Sequence, residues 1–100
     1  MKKVLLHDKS MTIIFDTKKQ SFEKVCENEF LKDLEGVCVR EGNVVYVGVF
    51  DNKKSTLVHE LFHCIDFINK RVNEFPESCF SESNAYLIEY LFKSFEKDLK

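Results

Sequence analysis

Proline occurs once in this chain of one hundred residues and glycine only three times, which excludes a fibrous repeat or a low-complexity disordered chain. No stretch approaches the ~18 consecutive apolar residues that cross a bilayer as a helix. Basic residues form no block, and 15 Lys+Arg against 17 Asp+Glu leave a net charge of -2. That balance lacks the electrostatic footprint of a nucleic-acid binder and disfavours anionic membranes, so neither is expected as a partner. The four cysteines (Cys26, Cys38, Cys64, Cys79) form no C-x-x-C; neither a zinc ribbon nor a thioredoxin-type pair is signalled, and buried free thiols are expected. The opening "MKKVLLH" has the charge of a secretory leader, but its apolar run spans only Val4 to Leu6. A cytoplasmic protein is therefore expected.

What is present is 44% hydrophobic and 32% charged residues, the composition of a soluble globule. One domain covering residues 1–100 is expected, near the lower end of what buries a self-sufficient core. "MTIIFDT" (11 to 17) is apolar and β-branched between polar flanks and predicts a strand. Phe22, Val25, Cys26, Phe30 and Leu34 recur at helical spacing and predict a helix over about 20 to 34, stopped by Gly36. "GVCVREGNVVYVGVFD" predicts a hairpin turning at Glu41-Gly42-Asn43, where a residue tolerant of positive φ is supplied. Asp51, Asn52 or Ser55 can cap a following helix that runs to about Val72. "NEFPESCFSES" is a loop broken by Pro76, and "SESNAYLIEYLFKSFEKDL" restores helical periodicity. The order strand, helix, hairpin, helix, helix predicts an α+β class, a small antiparallel or mixed sheet packed against about three helices.

The chemistry concentrates in "TLVHELFHCIDFI", residues 56 to 68. Helical residues advance ~100° each, so Leu57, Leu61, Cys64 and Ile68 all fall within about 40° of the side opposite His59. His63 lies ~40° from His59, one turn on, and the two form a polar stripe facing away from that apolar arc. Two imidazoles at i and i+4 can place nitrogens ~2.1 Å from one Zn²⁺. Glu60, about 100° round the helix, is poorly aimed as a ligand from the same turn and well placed to act on a metal-bound water as general base.

Two histidines leave zinc short of its usual three protein ligands. Asp66 is one turn beyond His63, but its carboxylate projects back toward that ring and suits a hydrogen bond that orients it. Glu82 is the better third donor: it opens the last helix, and the small Ala85 one turn on would let that helix approach closely. Tyr86 and Glu89 share the face of Glu82, while Leu87, Leu91 and Phe95 form the opposite, apolar face.

"HELFH" followed by "ESNAY" resembles the gluzincin metallopeptidases, zinc proteases in which a glutamate from a downstream helix completes a histidine pair. The eighteen residues between His63 and Glu82 match the interval of the aminopeptidase branch, and thermolysin-like members are similar. The chain as a whole looks like the short stand-alone zincin-like proteins of bacteria and their phages, in which "HE..H..D" precedes "E..AYL.EYL"; here these stretches read "HELFHCID" and "ESNAYLIEYL". The resemblance covers residues 37 to 95, and the first 36 only through their strand and helix. It implies a minimal zincin-like domain with His59, His63 and Glu82 as zinc ligands and Glu60 as the base that activates water. It also implies that the strand from about Asn43 to Phe50 binds extended substrate through its main chain, as a sheet edge can. The larger gluzincins add a second domain that walls the cleft and supplies an oxyanion donor. A hundred residues leave no room for it, and Tyr86 or Tyr46 is the replacement available here.

The expected function is zinc-dependent peptide hydrolysis on a peptide or protein substrate. The rival expectation is a non-catalytic zincin-fold module that recognises a protein partner through its sheet edge. A purely structural zinc site is disfavoured because such sites are closed by four ligands rich in Cys; only Cys79 is near Glu82 in sequence. Ten Phe residues exceed the needs of so small a core, so Phe62, Phe67 and Phe80 are candidates to line a cleft or an interface.

Overall fold

The computed structural model describes residues 1–6, 10–26, 34–71 and 82–100, with the side chains at 70, 71, 82 and 83 excepted. Among the described residues seven elements follow in order: strands β1 (Lys2–Leu6) and β2 (Met11–Asp16), helix α1 (Lys19–Cys26), strands β3 (Gly36–Glu41) and β4 (Val44–Val49), and helices α2 (Lys54–Arg71) and α3 (Glu82–Glu96). The class is α+β, a four-stranded mixed sheet with three helices. The strand order is β1-β2-β4-β3. β1 pairs antiparallel with β2, β2 parallel with β4, and β3 antiparallel with β4.

Alternation along each strand sorts side chains between two faces. Met11, Ile13 and Phe15 of β2 and Val45, Val47 and Val49 of β4 are buried in one cluster with Leu57, Leu61, Cys64, Ile65 and Ile68 of α2 and Leu91 and Phe95 of α3. Phe15 and Phe95 stack at 4.4 Å between ring centroids. Phe22 and Cys26 of α1 make a smaller cluster with Val37, Val39, Tyr46 and Phe50. The sheet thus lies between α1 on one face and the α2–α3 pair on the other.

The hairpin turn is two residues long, with Gly42 at φ 61°, the conformation that a primed turn requires and that a Cβ would disfavour. Asp51 begins α2. Its Oδ1 accepts from the Lys53 N–H at 3.0 Å and its Oδ2 from the Thr56 hydroxyl at 2.6 Å. Desolvation works against the Asp51 charge, but the Thr56 hydroxyl and the Lys53 N–H and ammonium outweigh it and hold the carboxyl below its ordinary pKa.

Three expectations are corrected. β1 was not expected; its short Lys-Val-Leu-Leu alternation becomes a strand because β2 offers it an edge. Leu34 is not helical and Gly36 opens β3 rather than stopping a helix; residues 27–33, in the second half of the expected helix, lie outside the described residues. The strand expected to bind substrate, about 43 to 50, is β4, which is hydrogen-bonded on both sides, by β2 and by β3. Among the described residues, the free edge beside α2 is β3. No described helix is long and apolar enough to cross a membrane.

Candidate active site

α2 is built as its periodicity dictates. Leu57, Leu61, Cys64 and Ile68 are fully buried against the sheet and α3, which turns His59 and His63 into solvent. The two Nε2 atoms stand 3.3 Å apart and the rings meet edge to face at 4.9 Å between centroids. Two nitrogens at ~2.1 Å from one tetrahedral ion are separated by about 3.4 Å, so the pair is already spaced for a shared cation. In the neutral rings one Nε2–H donates to the lone pair of the other Nε2, and both nitrogens would offer lone pairs to a cation with their protons on Nδ1. A Glu60 carboxylate oxygen and the two ring nitrogens all lie within 4.8 Å of one another.

Glu60 differs from its neighbours in being only 7% exposed. Burial pushes its carboxyl above the usual carboxylate range, partly opposed by the charges of His59 and His63. β3 covers it: a Cβ built on Gly36 would meet Thr56 Cγ2 at 2.6 Å, Glu60 Oε2 at 3.0 Å and Glu60 Cγ at 3.1 Å. Only glycine admits so close an approach of strand to helix. Gly36, Leu34, Glu35, Ser55, Thr56, His59 and Glu60 line a cleft of ≈ 520 Å³, so the carboxylate and one imidazole open into the same space beside the free edge of β3.

That edge has defined donors and acceptors. Glu41 and Val44 flank the two-residue turn, and the Phe50 N–H donates to the Glu35 carbonyl at 2.8 Å. The antiparallel alternation therefore directs the main-chain groups of Glu35, Val37, Val39 and Glu41 at β4 and turns those of Gly36, Cys38 and Arg40 outward.

The other expected site residues fare differently. Glu82 is the first residue of α3, but its side chain lies outside the described residues, as do Cys79, Phe80 and the loop expected around Pro76. Ala85 is exposed, so it is not the small residue at a helix contact; the neighbouring Asn84 is buried instead. Tyr86 is 66% exposed on α3, and no hydrogen bond or ring contact joins it to His59, Glu60 or His63 among the described residues. Tyr46 is ruled out as an oxyanion donor: it packs against Phe22 on the α1 face of the sheet, opposite α2. Asp66 is half-buried one turn beyond His63. Phe62 is exposed, while Phe67 packs on the core.

Sequence reasoning missed Gly36, Thr56 and the cleft they line. A glycine at the start of a β-rich run is a signal of close backbone approach, obscured here by its position after a helical periodicity. It also missed that Cys38 meets Cys64: the hydrogen bond between them and burial hold the Cys38 thiol protonated well above the usual thiol range. Cys26, Cys38 and Cys64 form no disulfide; Cys26 and Cys64 are buried as expected, Cys38 is half-buried, and Cys79 lies outside the described residues.

No protein-family model, curated protein or solved structure matches the chain.

Proposed function

We propose that the protein is a small zinc-dependent peptide hydrolase of zincin type. The separation of 3.3 Å between His59 Nε2 and His63 Nε2, with the buried Glu60 beside them, carries this reading. His59 and His63 hold the ion through Nε2, and Glu82, opening the next helix, is the third ligand. When bound, Zn²⁺ supplies Lewis acidity, polarising a carbonyl and making water acidic near neutral pH.

The remaining steps belong to the chain's own groups. Extended peptide adds to the open edge of β3 through the outward main-chain groups of Gly36, Cys38 and Arg40, which brings a peptide bond over His59 and Glu60. Glu60 takes a proton from the attacking water and delivers it to the leaving nitrogen. Burial raises the Glu60 carboxyl above its ordinary pKa, the direction that strengthens it as a base toward the water proton. The packing of β3 over Glu60 confines the carboxylate to the side of the cleft. Tyr86, one turn beyond Glu82, is the side chain assigned to the carbonyl oxygen.

The exposure of Tyr86 and of both histidines favours a second reading, a binding module that takes a peptide on the same edge and hydrolyses nothing. Glu60→Gln separates the two. For a hydrolase it retains stoichiometric zinc and loses peptide cleavage by about 10²-fold or more. Cleavage at the wild-type rate by Glu60→Gln removes the catalytic role, and a wild-type protein that binds peptides without cleaving any of a library leaves only the binding module.

A further inference from the structure

Two thiols on different elements meet between β3 and α2. Cys38 faces α2 from the edge strand, packs on the main core cluster and is hydrogen-bonded to Cys64, which is buried in that cluster. The register explains the encounter. Gly36 and Cys38 are two residues apart on one face of β3, ~6.6 Å along the strand. Glu60 and Cys64 are one turn apart on α2, ~6 Å along the helix. The close contact of Gly36 with Glu60 therefore repeats one step further on as Cys38 against Cys64.

We propose that Cys38 and Cys64 are a redox modification site, forming an intramolecular disulfide that tethers the edge strand to the helix carrying His59, Glu60 and His63. The oxidant is a small-molecule disulfide of the glutathione class. One thiol, losing its proton, attacks the oxidant and releases one equivalent of reduced thiol; the second protein thiol, losing its proton, displaces the other equivalent. One S–S bond is thereby made in the protein and one broken in the oxidant, which leaves as two thiols.

Three observations favour this pair over other outcomes. Among the described residues β3 is bonded to a neighbouring strand on one side only, so it is the freer element to adjust as the Cβ atoms close to the ~3.8 Å of a disulfide. The product is neutral and suits the apolar cluster, whereas the acidic products of further thiol oxidation do not. Cys26 lies in the cluster on the other face of the sheet and cannot reach either partner. None of this depends on whether the histidines hold a metal.

The test is oxidation of the folded, full-length protein with glutathione disulfide, followed by peptide mass mapping without reduction. The expected result is a Cys38–Cys64 linked peptide from monomeric protein. In a Cys26→Ser/Cys79→Ser variant, titratable thiols fall from two per chain to none, the thermal midpoint rises, and dithiothreitol reverses both. Cys38→Ser in that background leaves one thiol and no rise. The proposal is overturned if Cys38 and Cys64 both stay titratable in the folded oxidised chain, or if they appear only as glutathione adducts or in intermolecular dimers. Mapping of the wild type decides the matter even where a variant fails to fold.

Discussion

Gly36 and Glu60 meet where the free edge of the sheet comes nearest to α2, and a methyl group at position 36 would stand 3.0 Å from Glu60 Oε2 and 2.6 Å from Thr56 Cγ2. The contact joins the strand that offers main-chain groups to solvent with the one buried carboxylate beside the histidine pair. Gly36→Ala is therefore expected to destabilise by about 1–3 kcal/mol through overpacking, although alanine usually improves a strand position occupied by glycine. It is also expected to lower peptide cleavage more than zinc content, because Glu60 moves while the exposed imidazoles do not. Chemical unfolding together with a cleavage assay checks both. An alanine variant as stable and active as the parent would mean that β3 does not press on the carboxylate.

Burial raises the pKa of Glu60, with His59 and His63 opposing. A carboxyl raised on folding binds its proton more tightly in the folded state, so its contribution is fully present below the ordinary glutamate value and is lost as pH rises through the raised one. Metal-free protein should lose stability over that window, and Glu60→Gln, which has nothing to ionise, should not. Urea unfolding of both proteins at a series of pH values from acid to neutral is the measurement. Parallel curves would show that the Glu60 carboxyl is not desolvated on folding.

The spacing of the two Nε2 atoms predicts that zinc is bound at one ion per chain and stabilises the fold. At free zinc ~100 times Kd, linkage gives about 2.7 kcal/mol, a rise in Tm of roughly ten degrees or more for a domain of this size. His59→Ala and His63→Ala should abolish the rise, and Glu82→Ala should weaken it. Thermal scans with and without zinc, paired with elemental analysis, read this directly. Retention of the full shift by Glu82→Ala would remove that residue from the ligand set.

Asp51 ties the start of α2 together through the Lys53 N–H and the Thr56 hydroxyl. Asp51→Ala should cost about 1 kcal/mol, the order of a side-chain hydrogen bond lost, with Tm lower by roughly 4–8 °C. Since the Asp51 pKa is held below its ordinary value, its contribution is present above that value and fades as pH falls through the depressed one. The difference between wild type and variant should therefore shrink in acid. A constant difference would assign the effect to packing rather than charge.

Local spacing made the heart of the site readable before any coordinates. His59 and His63 share a face because the helix turns ~100° per residue, and the burial of Leu57, Leu61, Cys64 and Ile68 obliges that face to look outward. The same local rules placed Gly42 in a turn and a helix start close to Asp51, Asn52 and Ser55. The long-range pairings are another matter. That β4 is internal and β3 the open edge follows from β2 pairing with β4 across the α1 crossover, a partnership between segments some thirty residues apart that no periodicity encodes. The roles of Gly36 and Cys38 follow from that strand order, because whichever strand flanks α2 must supply both the close approach to Glu60 and the thiol opposite Cys64. The sequence by itself determined which residues share a helical face; only the tertiary structure decided which strand lies against that helix, since chain segments distant in sequence are matched by packing and main-chain hydrogen bonding rather than by their own pattern.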